Sequence, residues 1–119
     1  MVRTFLDFPV YRKGLKLAGE IAALCNKTKG GQFNFLKDQI RRASSSIILN
    51  IAEGSGKWSK KDKINFYRMS LASTNECIAA IDLMFTYKLI EAGQAKQIKE
   101  RLRDIALDLY ALKRSIEKR

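Results

Sequence analysis

The stretch NIAEGSGKWSKKD, residues 50–62, has the residue types of a phosphate-binding loop: glycines, a lysine and serines where an apolar run ends. Such a loop needs G-x-x-x-x-G-K-[ST] after a strand, with a hydroxyl beside the lysine to hold magnesium. Here Ile51 stands where the first glycine is required, and Trp58 follows Lys57. The residues before it have helical spacing. That chemistry is therefore excluded. Gly54 and Gly56 instead suit a helix C-terminus with left-handed backbone. Ser59, with Asp62 three residues on, suits the start of the next helix.

A second chemistry rests on carboxylates. Asn50 and Glu53 share an edge of one helix beside Ser46, and Ser73 and Glu76 repeat the spacing on the next. Two facing glutamates would bind a metal or move protons, as in carboxylate-lined bundles. Such sites add Glu-x-x-His motifs, and this chain has no histidine. The favoured reading is a polar network that sets helix register or closes a subunit interface. No metal, cofactor or catalytic residue is expected. Cys25 and Cys77 lie among apolar helical residues and read as small buried hydrophobes.

The third chemistry is cationic. Lys and Arg number 23 against 12 acids, a formal charge of +11. An excess this large on a small domain attracts polyanions, of which nucleic acid is the commonest. Lys57, Lys60, Lys61 and Lys63 form one cluster, diluted only by Asp62, which Lys37, Arg41 and Arg42 would extend along helix two. Lys96, Lys99 and Arg103 share a face of helix four, diluted by helical pairing with Glu100, Asp104 and Asp108. Lys113, Arg114, Lys118 and Arg119 crowd the C-terminus, where cations favour the helix itself. Trp58 would either stack on an exposed base or clamp the bundle end, the clamp being preferred.

The elements that position these residues are helical throughout. At 119 residues the chain is expected to form a single domain, residues 1–119. No eighteen-residue apolar run and no signal-peptide pattern occur, so a cytoplasmic protein is expected. Asp7 is placed to cap helix one, with Pro9, the single proline, in its first turn. Val10, Gly14, Leu17, Ile21 and Leu24 form its stripe, beside Tyr11, Leu15, Ala18, Ala22 and Cys25. Helix two, from about residue 32 to 53, carries Leu36, Ile40, Ala43, Ile47 and Ile51. Its second half adds Ile48 and Leu49 on other faces, so it needs cover from another subunit or full enclosure. Helix three has the seam Ile64, Tyr67, Leu71, Thr74, Ile78, Ile81 and Phe85. Helix four has Ala95, Ile98, Leu102, Ile105, Leu109, Leu112 and Ile116. Alternating spacings of three and four, with short joints near 28–32, 54–59 and 88–92, predict an all-α, antiparallel up-down-up-down four-helix bundle.

The segment IRRASSSIILNIAEGSGKWSKKD, followed by ASTNEC, resembles the family of 23S rRNA intervening-sequence proteins. Ile40, Arg41, Arg42, Ala43 and Ser46 match, as does the N-I-A-E-G run Asn50–Gly54. Ser73 and Glu76 keep a G-S-x-x-E pattern whose glycine is Ala72 here. DFPVYRKGLKLAGEI is similar to the family's first helix. Ile48 and Leu49 stand where the family often has proline. The resemblance implies a bundle assembled as a ring-like homopentamer. It also brings in the related accessory variability determinants of diversity-generating retroelements, basic pentamers that bind nucleic acid and a reverse transcriptase.

The first functional expectation is a non-catalytic, homo-oligomeric accessory protein that contacts RNA or DNA phosphates with little sequence preference. The alternative is an assembly module whose basic surface docks an acidic protein. A nuclease using Glu53 and Glu76 ranks last, because such chemistry needs clustered carboxylates in a pocket.

Overall fold

Pro9 lacks an N–H and has its φ already set, so it opens α1 (Pro9–Lys27) at no hydrogen-bonding cost. The computed structural model describes residues 4–119. A 3-10 turn, Phe5–Asp7, precedes α1. The expected Asp7 cap does not form. Phe8 holds the N-cap position with no side-chain cap, and Asp7 instead faces Arg12 at 3.8 Å. The chain leaves α1 through Gly30, whose φ of +112° is open to glycine. After a second 3-10 turn, Gly31–Phe33, come α2 (Asn34–Ser55), α3 (Lys60–Thr86) and α4 (Ala92–Glu117). No strand occurs among the described residues. The molecule is an antiparallel four-helix bundle, 47 × 23 × 21 Å. No helix among the described residues is long and apolar enough to cross a membrane.

The α2–α3 joint corrects the expectation for its glycines. Gly54 lies inside α2, which runs to Ser55, and Gly56 ends it with φ −84°, in the right-handed region. Gly54 is required for another reason: a Cβ there would lie 2.7 Å from Tyr67 Cε1. Ser59 caps α3, accepting from the Asp62 amide at 3.1 Å. The α3–α4 joint is a Schellman turn, with Lys88 (φ 62°) in the left-handed position and Leu89 N–H donating to the Met84 carbonyl at 2.9 Å. Glu91 and Gln94 then form a reciprocal capping box for α4.

The seams of α1, α2 and α4 are buried as their spacing predicts, with Leu112 only half-buried. α3 differs because it is packed along both α2 and α4. It therefore buries a second row, Ser70, Cys77, Ala80 and Met84, while Phe85 is left exposed. The apolar second half of α2 is only partly covered within the protomer. α1 lies over Ile48, close enough that a Cβ on Gly14 would be 3.2 Å from Ile48 Cγ1. Ile48 is thus largely a protomer contact, and Leu49 is the residue left 64% exposed.

Both cysteines are buried, and burial pushes the Cys77 thiol up to about 12. The thiolate is the reactive form, so neither cysteine is expected to react with a disulfide reagent in the native state at pH 8. Labelling should follow global unfolding, measured as a rate against denaturant. The folded Cys77 keeps its proton to higher pH than the unfolded chain. Its contribution is therefore whole below about pH 9, the unfolded value, and lost as pH rises toward 12.

Candidate nucleic-acid interface

Up-down-up-down topology brings the α2–α3 turn, the start of α1 and the end of α4 to one end of the bundle. Gly56, Lys63, Phe8, Ile116 and Arg119 surround the same cleft there. The turn cluster and the C-terminal basic tail are separate in sequence and adjacent in space. Burial, with the Arg119 charge second, holds the Lys63 pKa below its usual value.

The residues of the turn cluster do different jobs. Lys60 and Lys61 are exposed and lie within 4.0 Å of no carboxylate among the described residues. Trp58 is 99% exposed, so it clamps nothing, and its indole is free to stack. Lys57 is half-buried, with Glu53 at 3.9 Å and the Phe66 ring centroid at 5.1 Å. Lys63 donates to the Ser55 carbonyl at 3.0 Å and to that of Gly54 at 3.4 Å. It closes the end of α2, where four carbonyls lack helical partners.

Lys37 does not extend this cluster. It lies near the other end of α2, roughly 30 Å away at 1.5 Å per residue. Only 7% exposed, it donates from Nζ to the Thr28 carbonyl at 2.6 Å, closing the chain after α1. Lys37→Met is expected to cost about 2 kcal/mol of stability, the loss of one charged hydrogen bond. Polynucleotide affinity should not change, which denaturation and titration of the same variant would check. Arg41 is likewise occupied, by Asp38 at 3.2 Å, whereas Arg42 is exposed.

On α4, Lys96, Lys99 and Arg103 do share a face and line a shallow groove with Asp82 and Phe85. Lys99 is held by Asp82 at 2.7 Å, leaving Lys96 and Arg103 exposed. The expected helical pairing by Asp104 and Asp108 is replaced by a contact between helices. Both carboxylates reach Lys13 of α1 at 2.8 Å, and these hydrogen bonds raise the Lys13 pKa.

The carboxylates do not converge. Ser73 Oγ donates to Ser46 Oγ at 2.9 Å, and Ser70 Oγ to the Ile47 carbonyl at 2.7 Å. This register sets Glu76 opposite positions near 43, roughly 15 Å along the axis from Glu53. Asn50 completes the network, donating from Nδ2 to Ser46 Oγ at 3.0 Å. No group of three or more potential metal ligands occurs among the described residues. Buried Ser70 stood outside every sequence pattern. A hydroxyl beside Leu71 carries no signal until its carbonyl partner on α2 is known.

The family model for 23S rRNA-intervening sequence proteins matches residues 6–111. The chain belongs to that family. A crystal structure described as a protein with unknown function from the S23 ribosomal protein family, from Bacteroides thetaiotaomicron, is similar in fold. It superposes with a TM-score of 0.80 and 27% identity over 87% of this chain and 97% of that one. No curated protein matches. In this intervening-sequence protein the matched span includes the α2–α3 turn and stops before Lys113, so the C-terminal basic tail lies outside it.

Proposed function

We propose that this intervening-sequence protein is a non-catalytic, cytoplasmic, single-domain nucleic-acid-binding protein that acts as a homo-oligomer. The observation that carries the reading is the end of the bundle where Lys60, Lys61 and Trp58 stand exposed and without acidic partners among the described residues. Binding there is to phosphates, with stacking on Trp58, and is largely indifferent to sequence. Arg42, Lys96 and Arg103 add exposed charge along the sides. Lys57 contributes less, and Lys37, Lys63 and Lys99 serve the fold first.

Self-association is supported by Leu49 at 64% exposure and Leu107 at 67%, apolar area that the protomer leaves in water. A homopentamer, the assembly implied by the resemblance, would multiply the cationic end fivefold. A reverse transcriptase as protein partner belongs to the same proposal. The separation of Glu53 from Glu76 supports a role without catalysis.

The test combines mass in solution with titration against RNA and DNA of equal length. A multimer that binds both, more weakly as salt rises, is expected. A protein that stays monomeric at micromolar concentration and ignores polynucleotides at low salt would overturn the reading. Co-purification with an acidic protein and no nucleic-acid binding would favour the docking alternative.

A further inference from the structure

The cleft at the basic end has a volume of ≈ 890 Å³, in the range of sites that hold small organic ligands. Tyr67 is among its lining residues and is 1% exposed, yet its hydroxyl has no hydrogen-bond partner among the described residues. The hydroxyl is not sealed in the core: Glu20 Oε1 is the buried side-chain polar atom left unpaired among the described residues, and the Tyr67 hydroxyl is open to the cleft instead. Lys63 and Arg119 face the same space. So does Val10, which carries the first N–H of α1, a helix start with no side-chain cap. An uncapped helix start favours an anion. Asp108 also lines the cleft, but its carboxylate is held by Lys13 at 2.8 Å. The remaining wall has rings, Phe5 and Phe8, aliphatic side chains such as Leu112 and Ile116, and two serines, Ser55 and Ser115, whose hydroxyls already donate to the Ala52 and Leu112 carbonyls.

We propose that this cleft takes one unstacked nucleotide of a bound strand, with its phosphate on Lys63, Arg119 and the Tyr67 hydroxyl. The base lies against Phe8, and the ribose hydroxyls donate to the oxygens of Ser55 and Ser115, whose own protons are held by backbone carbonyls. Two cations, Lys63 and Arg119, beside aromatic rings suit the phosphate and base of a nucleotide better than a neutral alkyl chain, which offers the cations no counter-charge. Lys60 lies one turn before the cleft residue Lys63 on α3, so adjoining phosphates run from the cleft toward the Lys60 and Lys61 surface. The proposal rests on the nucleic-acid reading above and deepens it: the exposed lysines hold the backbone, and the cleft selects single-stranded over duplex segments.

The test uses the full chain, with uridine 5′-monophosphate, inorganic phosphate, dodecanoate and equal-length single-stranded and duplex RNA as probes, read by calorimetry. The nucleotide should bind at least tenfold tighter than phosphate. Tyr67→Phe, which keeps the ring packing, should weaken it roughly three- to tenfold, the effect of one hydrogen bond. Ala111→Phe, which fills the cleft from its α4 wall without changing charge, should abolish it while duplex affinity is unchanged. Unchanged melting temperatures would show that both variants fold. Nucleotide binding no tighter than phosphate, or insensitive to both substitutions, would overturn the cleft proposal, as would dodecanoate binding in its place. Nucleotide binding without any RNA binding would instead sink the function proposed above and leave the cleft a mononucleotide site.

Discussion

Raising the salt concentration from 50 to 200 mM is expected to weaken polynucleotide binding roughly one hundred- to five hundredfold. The figure follows from about five neutralised phosphates per binding event, with a log–log slope of roughly −3.5 for single strands and −4.5 for duplex. Replacing both Lys60 and Lys61 with glutamine should lower the slope by roughly 1.5 to 2, because two released counterions are lost. The substitution should leave helicity and melting temperature unchanged, since neither side chain makes an ion pair or hydrogen bond among the described residues. Lys63→Gln should behave differently, costing stability as well as affinity, because its ammonium closes α2 on the Ser55 carbonyl. A slope near zero in the unaltered protein would remove the phosphate mechanism.

Gly54→Val is expected to destabilise the bundle by about 2–3 kcal/mol, the usual effect of forcing extra methyls into a packed interior. A Cβ at this position would sit 2.7 Å from Tyr67 Cε1 and 3.1 Å from Phe66 Cβ. Neither neighbour can yield easily. Tyr67 is 1% exposed, and one turn farther along α3 the Ser70–Ile47 hydrogen bond pins the same pair of helices. Valine's better helix propensity, less than about 1 kcal/mol over glycine, offsets only part of the strain. Gly56→Ala is the internal control. Its φ is −84° and its nearest neighbour would be 3.7 Å away, so that variant should be neutral or slightly stabilised. Chemical denaturation with an unchanged m-value checks both, and a neutral Gly54→Val would show that helix spacing is set elsewhere.

The contrast between these glycines shows where reading the chain alone succeeds and stops. Both stood in a segment whose composition marks a turn, and a turn is there. Composition did not separate the glycine needed for close packing from the one that merely follows the helix. Lys37 shows the same limit. Its position on an outward-looking row of α2 matched that of a solvent-facing cation, but the chain leaving α1 passes over it and supplies a carbonyl at 2.6 Å. Asp104 and Asp108 had basic neighbours at helical spacing, and Lys13 of another helix outcompeted them. In each case the partner is distant along the chain, and local periodicity holds no record of it.

Periodicity of three and four, one proline, short joints and the absence of β-patterned runs were enough to determine four antiparallel helices and the core face of most of them. They work because a helix's apolar stripe is a local property, set by 3.6 residues per turn. The family likewise follows from a contiguous run, Asn50–Gly54, and its flanks. Tertiary structure alone decided which cations remain free, that Trp58 stands in water, that Ser46 and Ser73 meet, and that Arg119 joins the α2–α3 turn beside a cleft. Those outcomes depend on register and on which ends come together. Both are settled by contacts between helices many residues apart, where geometry, and not spacing along the chain, determines what each charge can reach.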